Sequence, residues 1–374
     1  MFTNVHPHLQ TAIAQAAFAL GDKMKRVALP KSGVRKFGLR ALAAAALATL
    51  CLGAGAQDKP VELKFAHWVP PTHPLSRIGY EPWAKSIEAA SKGSIKITFY
   101  PAQQLGKAPD HYDMARDGIA DISWINPGYQ AGRFAIFSAT ELPMLISDPV
   151  GGSAAIDAWY RKYAAQEMKD VKFCMAHLHQ GSLHSKKAIT SPTQIKGMKI
   201  RPANGTVAAL VASLGGTSVQ VSAPESREAL DKGVAEAITF PWESVLSFKI
   251  DQAVKFHTDF KLYAATFAYV FNKGMYEKLS ATQKKVMDDH CTTEWAQKMG
   301  EWGAFENAAQ SKIAAMPGHT IVKVSPAELK EWRTASQGRY DAWVTDAAKT
   351  GVNPKAAMDE LRAELDKRGA LMDK

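Results

Sequence analysis

Gly197-Met198-Lys199-Ile200-Arg201-Pro202-Ala203-Asn204-Gly205-Thr206 is the stretch on which the reading of this chain turns. Met198 and Ile200 are the apolar members of a short extended run, and Pro202 with the Asn204-Gly205 turn ends it, so the pattern predicts a strand over 198–201 that closes on Arg201. An Ala-rich helical period follows over 207–214, with Asn204-Gly205-Thr206 as turn and helix start. An arginine at a strand end can be an ordinary solvated residue. It can also present a planar fork of donors to a carboxylate, two parallel hydrogen bonds that fix orientation as well as charge.

The same alternation of extended and helical periods continues on both sides. Upstream, strands at 63–68, 94–100 and 122–125 enclose helices at 75–91 and 109–117, a βαβαβ pattern. A second such unit runs through strands at 172–177, 186–189, 198–201, 218–221 and 237–239 with helices at 207–214 and 224–232. From Glu277 onward the chain reads as mostly helical, with one strand at 320–324 and helix starts at Ser280, Ser325-Pro326 and Asn353-Pro354. The fold class is therefore α/β. Open α/β sheets bind ligands beyond the carboxyl ends of their strands, which directs attention to Trp68, Trp124 to Asn126, His177 to Gln180, Arg201 to Gly205, Phe240 to Glu243 and Phe267 to Asn272.

The first 56 residues read as an export leader. Lys31, Arg35, Lys36 and Arg40 precede an apolar run over 41–52 and the small residues Ala54-Gly55-Ala56, so cleavage is expected after Ala56, and Met24-Lys25-Arg26 is the expected true start. The apolar run is shorter than the roughly twenty residues a spanning helix needs. Leu50 before Cys51 disfavours lipoprotein processing, so a soluble exported protein is expected. The leader holds seven Lys/Arg and one Asp, leaving 39 basic against 35 acidic groups and a net charge of +4 where the whole chain has +10. No basic run interleaved with aromatics suggests nucleic acid, and none is expected as a partner. Cys174 and Cys291 are too few for a disulfide framework or a thiolate metal site, and two separate buried thiols is the simplest reading, with pairing left open. About 318 mature residues exceed what one core comfortably holds, so two domains are expected.

Taken together, Gly-Met-Lys-Ile-Arg-Pro with Asn-Gly, the helix, Leu214-Gly215-Gly216, Glu225, Ala229-Leu230 and Gly233-Val234 resembles the substrate-binding proteins of TRAP transporters, the tripartite ATP-independent periplasmic carriers of organic acids. Leu63-Lys64-Phe65-Ala66-His67 and Tyr100-Pro101-Ala102-Gln103-Gln104-Leu105-Gly106 extend the resemblance over nearly the whole mature chain. It implies a two-lobed periplasmic binding protein of the DctP family whose cleft closes on its ligand. The chain would cross between lobes near 177–181, 270 and 309, giving one lobe of 57–178 plus 271–309 and another of 179–270 plus 310–374. It also implies that Arg201 grips the ligand carboxylate, that no cofactor is needed, and that the partners are an organic acid and the membrane permease subunits. A monomer is expected.

The remaining candidates follow from position and from the resemblance. Trp124 and Asn126 end the third strand as pocket wall, or are a core tryptophan and a turn asparagine. The sialic-acid branch of the family has an acidic residue where Asn126 stands and a polar one where Phe240 stands, which points away from sugar acids. Some members carry a second arginine where Gly181 falls here, leaving His179, Gln180 or His184 to compensate. Trp242 can stack on a planar substrate or pack the hinge, Phe267 and Trp68 complete the apolar set, and Asn204 joins the list from the turn after Arg201. A zinc site on His177, His179 and His184 lacks a fourth ligand and helical spacing. A secreted α/β enzyme would need Glu243 and a histidine as acid and base, yet no nucleophile elbow or nucleotide fingerprint accompanies them. A ligand sensor on the same fold is the third reading. The expectation is a receptor, without chemistry of its own, for an aromatic or 2-oxo monocarboxylate, with a C4-dicarboxylate as the alternative.

Overall fold

The computed structural model describes residues 58–372; the expected leader, the start at Met24 and the cleavage after Ala56 lie outside the described residues. The chain runs β1 (Val61–Ala66), α1 (Glu81–Ala90), β2 (Ile95–Tyr100), α2 (His111–Arg116), β3 (Ile122–Ile125), α3 (Pro149–Tyr160) and β4 (Val171–Ser185). It continues through β5 (Lys199–Arg201), α4 (Gly205–Ser213), β6 (Thr217–Ser218), α5 (Ser226–Asp231), β7 (Ala237–Phe240), α6 (Trp242–Ser247) and β8 (Phe256–Asn272). Helices α7 (Ala281–Asp289), α8 (Thr293–Gly300) and α9 (Gly303–Ala314), strand β9 (Thr320–Lys323), and helices α10 (Pro326–Ala348) and α11 (Pro354–Lys367) complete it.

The strands form one sheet in the order β2-β1-β3-β8-β4-β7-β5-β6, with β9 alongside β8. At one end β1 pairs in parallel with β2 and β3; at the other, β5 pairs in parallel with β6 and β7. The long antiparallel strands β4 and β8 join the two parallel groups. Their pairing breaks once between the groups: Gly181 lies opposite Tyr263, whereas Leu183 lies opposite Thr258. On β4 the break falls beside the first expected crossing; on β8 it lies upstream of Val270. A side chain at 181 would place its Cβ 2.2 Å from the Tyr263 ring, so glycine lets that ring cover the strand where the resemblance places a second arginine.

Local sequence explains why the elements start where they do. Asn204 caps α4 by accepting from the Val207 N–H, Ser280 and Ser325 form capping boxes with Gln283 and Glu328, and Asn353 caps α11. In β1, alternation sends Leu63 and Phe65 inward, and Phe65 packs among Tyr80, Trp83 and Tyr269 at 5.2 to 6.0 Å. The expected strand at 186–189 does not form, because β4 carries straight through from Val171 to Ser185 and the chain then leaves the sheet.

Cys174 on β4 and Cys291 after α7 form a disulfide across 117 residues, which corrects the reading of two separate thiols. Spacing could not reveal that α7 packs its end against β4. Closing so long a loop restricts the unfolded chain, so the double substitution Cys174→Ala/Cys291→Ala is expected to lower stability by about 2–4 kcal/mol. Urea unfolding of the two proteins side by side checks this, and a difference below about 0.5 kcal/mol would show the bond to be dispensable.

Candidate functional site

Arg201 is the last residue of β5 and is 1% exposed. Parallel pairing with β7 sets Arg201 opposite Ile238, and Pro202 then turns the chain out of the sheet, so the side chain extends past the strand ends. Its Nε donates to the Val221 carbonyl at 3.0 Å, Nη1 reaches the Thr239 carbonyl at 3.5 Å, and Nη2 donates to the Tyr129 hydroxyl at 3.2 Å. The Phe240 ring lies 5.3 Å from the guanidinium carbon. Three of the five N–H donors are thereby occupied, leaving one on each terminal nitrogen. Among the described residues no carboxylate pairs with this cation; the Glu225 carboxylate in the next loop is spent on Ser222, which holds its pKa below the usual carboxylate range.

A narrow cleft opens in front of Arg201, walled by aromatic rings. Trp68 stacks on Trp124 at 4.0 Å, and Trp124 on Phe267 at 4.3 Å. Phe240 and Phe248 face them, and Tyr129, Asn126, His179 and Trp302 complete the lining. Of these residues Arg201 alone carries a charge. A wider, open groove lies between α10 and the turns after β3, lined by Arg339, Asp346 and Lys349. It has charged groups of both signs on its rim and no buried cation, so the chemistry favours the aromatic cleft.

Strands from both parallel groups and from the joining pair supply the lining. Asn126 directly follows β3; its Oδ1 caps the following turn at the Gly128 N–H and its Nδ2 donates to the Ala203 carbonyl at 3.3 Å, tying that turn to the loop after Arg201. Trp124 donates its indole N–H to His177 Nε2 at 2.8 Å, which places the His177 proton on Nδ1. His179, two residues along β4, lies 3.8 Å from Trp302 and has no hydrogen-bond partner on either nitrogen. Burial, reinforced by His177 and His73, holds its pKa well below the ordinary imidazole value, so it is neutral.

The structure thus brings together Arg201, Trp68, Trp124, Asn126, His179, Phe240 and Phe267, and does not bring His184, Trp242 or Asn204 into the cleft lining. Asn204 serves α4 as its cap. Trp242 packs against His184 and His257 at 4.9 and 5.7 Å. His184 belongs to a hydrogen-bonded row in which Lys255 Nζ meets His319, His319 meets His257, His257 meets His184, each at 2.9 Å, and His184 meets the Phe240 carbonyl at 3.0 Å. An ammonium only donates and a carbonyl only accepts, so one proton order satisfies the row: His319 and His257 are protonated on Nδ1 and His184 on Nε2. Among the described residues no cluster of His, Cys, Asp and Glu has the geometry to hold a metal ion.

Sequence reading missed Tyr129 and Trp302. The Tyr129 hydroxyl accepts from both Arg201 and the Ala223 N–H, and its turn after Asn126-Pro127 was the available signal. Trp302, between two helices far along the chain, carried none. Glu243, the residue an enzyme would need as acid or base, stands 3.1 Å from His73 Nε2. Burial lowers His73 to about 3 and raises Glu243 to about 7, so below neutral pH the contact joins a neutral carboxyl to a neutral imidazole.

Comparison with known proteins fits this geometry. Residues 65–346 match the model of the bacterial extracellular solute-binding protein family 7, DctP. A TRAP solute-binding protein from Rhodoferax ferrireducens T118, solved with copurified benzoate, is 30% identical and superposes with a TM-score of 0.79 over 83% of this chain and 98% of that one. A marine metagenome TRAP protein specific for aromatic acids, solved with 3-hydroxybenzoate, is 33% identical, with a TM-score of 0.78 over 83% of this chain and 99% of that one. A third, from Bordetella bronchiseptica with bound (R)- and (S)-mandelate, is 29% identical, with a TM-score of 0.77 over 82% of this chain and 99% of that one. A two-lobed α/β sheet joined by long shared strands, a buried arginine at a strand end and a family match spanning most of the described chain agree, and the chain belongs to family 7 of the bacterial extracellular solute-binding proteins, the receptors of TRAP transporters.

Proposed function

We propose that this receptor captures a ring-bearing monocarboxylate in the aromatic cleft, with the carboxylate on Arg201, and hands it unchanged to the TRAP permease subunits from the periplasm. The observation that carries the reading is a buried guanidinium with two free donors and no acid partner among the described residues, facing walls of stacked rings. An unpaired buried charge is costly, and an incoming carboxylate both neutralises it and satisfies the remaining donors. With Tyr263 covering Gly181, a second carboxylate would meet no second cation in the cleft, which disfavours C4-dicarboxylates. The ligands held by the related structures, benzoate, 3-hydroxybenzoate and mandelate, support the choice of a ring. The export leader supports periplasmic delivery. We divide the lobes as 57–178 with 271–309 and 179–270 with 310–374, the joining strands β4 and β8 passing between them.

Thermal shift and calorimetric titration test this together. Ligand at a hundredfold excess over its dissociation constant stabilises a receptor by about 2.7 kcal/mol, so cognate acids should raise the melting temperature clearly. Benzoate, mandelate or benzoylformate is expected to bind at least about tenfold tighter than succinate or malate, since the dicarboxylates must bury a second charge unpaired. Tighter binding of succinate or malate would reverse the assignment.

A further inference from the structure

We propose that the acid taken up by this receptor carries a hydroxyl group on its ring, and that His179 with Trp302 is the pair that reads it. This rests on the ring-acid reading above and narrows it. Several other polar groups of the cleft already have partners within the protein. The Asn126 amide holds Gly128 and Ala203, the Tyr129 hydroxyl takes two N–H donors, and Ser244 Oγ lies 3.4 Å from His73. His179 and Trp302 differ: both imidazole nitrogens and the indole N–H are buried with no partner, and both residues line the cleft.

A phenylalanine or leucine at 179 would fill similar space without leaving a donor and an acceptor unsatisfied, so the imidazole asks for a partner from elsewhere. Arg201 keeps to the strand ends of β7, the Val221 carbonyl and Tyr129, whereas His179 keeps to His177, Phe267 and Trp302. The carboxylate and the second polar group of the ligand therefore occupy different ends of it. The chemistry selects the second group. A neutral imidazole offers one donor and one acceptor, and Trp302 one further donor. A hydroxyl donates and accepts, so it can satisfy the acceptor nitrogen of His179 while taking an N–H. A ketone oxygen leaves that nitrogen unpaired, a methyl or halogen leaves all of them unpaired, and a second carboxylate would face a neutral ring.

The test is a calorimetric comparison of benzoate, the three monohydroxybenzoates and the three methylbenzoates on the wild-type protein, then on His179→Phe and Trp302→Phe. At least one hydroxybenzoate is expected to bind about tenfold tighter than both benzoate and its own methyl isomer, equivalent to about 1.4 kcal/mol, the size of one net hydrogen bond. His179→Phe should collapse that hydroxyl-to-methyl ratio to within threefold, a readout that general loss of packing does not move. If His179→Phe does not fold, Trp302→Phe and the wild-type series carry the test. Benzoate binding with every hydroxyl isomer within threefold of it, or a ratio unchanged in the variants, overturns this inference alone. No binding by any of the seven acids overturns the ring-acid reading and this one with it.

Discussion

Arg201→Ala is expected to weaken binding of the cognate acid by at least a hundredfold while the protein still folds. The guanidinium is anchored by the Val221 carbonyl and the Tyr129 hydroxyl and has one N–H left on each terminal nitrogen, so it is held in place before the ligand arrives. Removing one member of a buried ion pair costs roughly 3–5 kcal/mol, and a hundredfold change in affinity is only about 2.7 kcal/mol. Arg201→Lys should recover part of the loss, since an ammonium supplies charge without the planar fork. The ligand-free proteins should behave differently. Without the acid, wild type buries a cation that no carboxylate among the described residues balances, so the alanine variant is expected to melt no lower than wild type despite losing its hydrogen bonds. Calorimetry with benzoate or mandelate, beside thermal melts without ligand, separates the two effects. Affinity within a few-fold of wild type would remove Arg201 from the site.

Much of this arrangement could be read from the chain, and the parts that could not share a physical reason. Arg201 was legible because Pro202 and Asn204-Gly205 mark the end of a strand so clearly, and β1 to β3 because Leu63, Phe65 and Ile122 alternate or cluster as buried strands do. The helix caps at Ser280, Ser325 and Asn353 announced themselves through side chains that bond their own backbone. By contrast, the long reach of β4 was hidden by polar residues. His177, His179, Gln180, Ser182 and His184 are all buried, so the strand has no apolar alternation to follow. The same burial makes its second half look like a loop and cut the prediction at 177. Pairings distant in sequence were equally silent. Cys174 with Cys291, His184 with His257 and His319, and His179 with Trp302 depend on which strands and helices meet, and no local spacing carries that information.

The histidines set the second large expectation, a bell-shaped dependence of stability on pH with its maximum between about pH 6 and 7. Burial lowers His67, His73 and His177 to about 3, His184 to about 4 and His257 to about 2, and holds His179 well below its ordinary value. In the unfolded chain each would protonate near its ordinary value of about 6.5. Below that pH the unfolded state binds more protons, so the stability these groups contribute is present above 6.5 and is lost as the pH falls towards their folded values. Burial acts in the opposite sense on carboxyls. Glu141 and Glu306 are raised to about 8 and Glu243 to about 7, so between 4.5 and those values the folded state holds protons that the unfolded state has released, and stability is lost as the pH rises towards 8. Above about 6.5 only the glutamates act, and acidification stabilises. Below it eight imidazoles, with His111 and His319 also lowered, oppose five carboxyls, with Asp157 and Glu167 also raised, and the imidazoles win. Each unbalanced group is worth about 1.4 kcal/mol per pH unit, so several kcal/mol should disappear between about pH 6 and 4.5, a large share of the roughly 5–15 kcal/mol that holds a domain folded. The row from Lys255 through His319, His257 and His184 to the Phe240 carbonyl should give way with it, since a second proton on any of its rings sets two donors face to face. Melting curves from pH 4.5 to 9 at constant ionic strength decide the matter. A melting temperature that is flat across this range, or that rises steadily towards acid, would mean that these imidazoles are solvated in the folded protein.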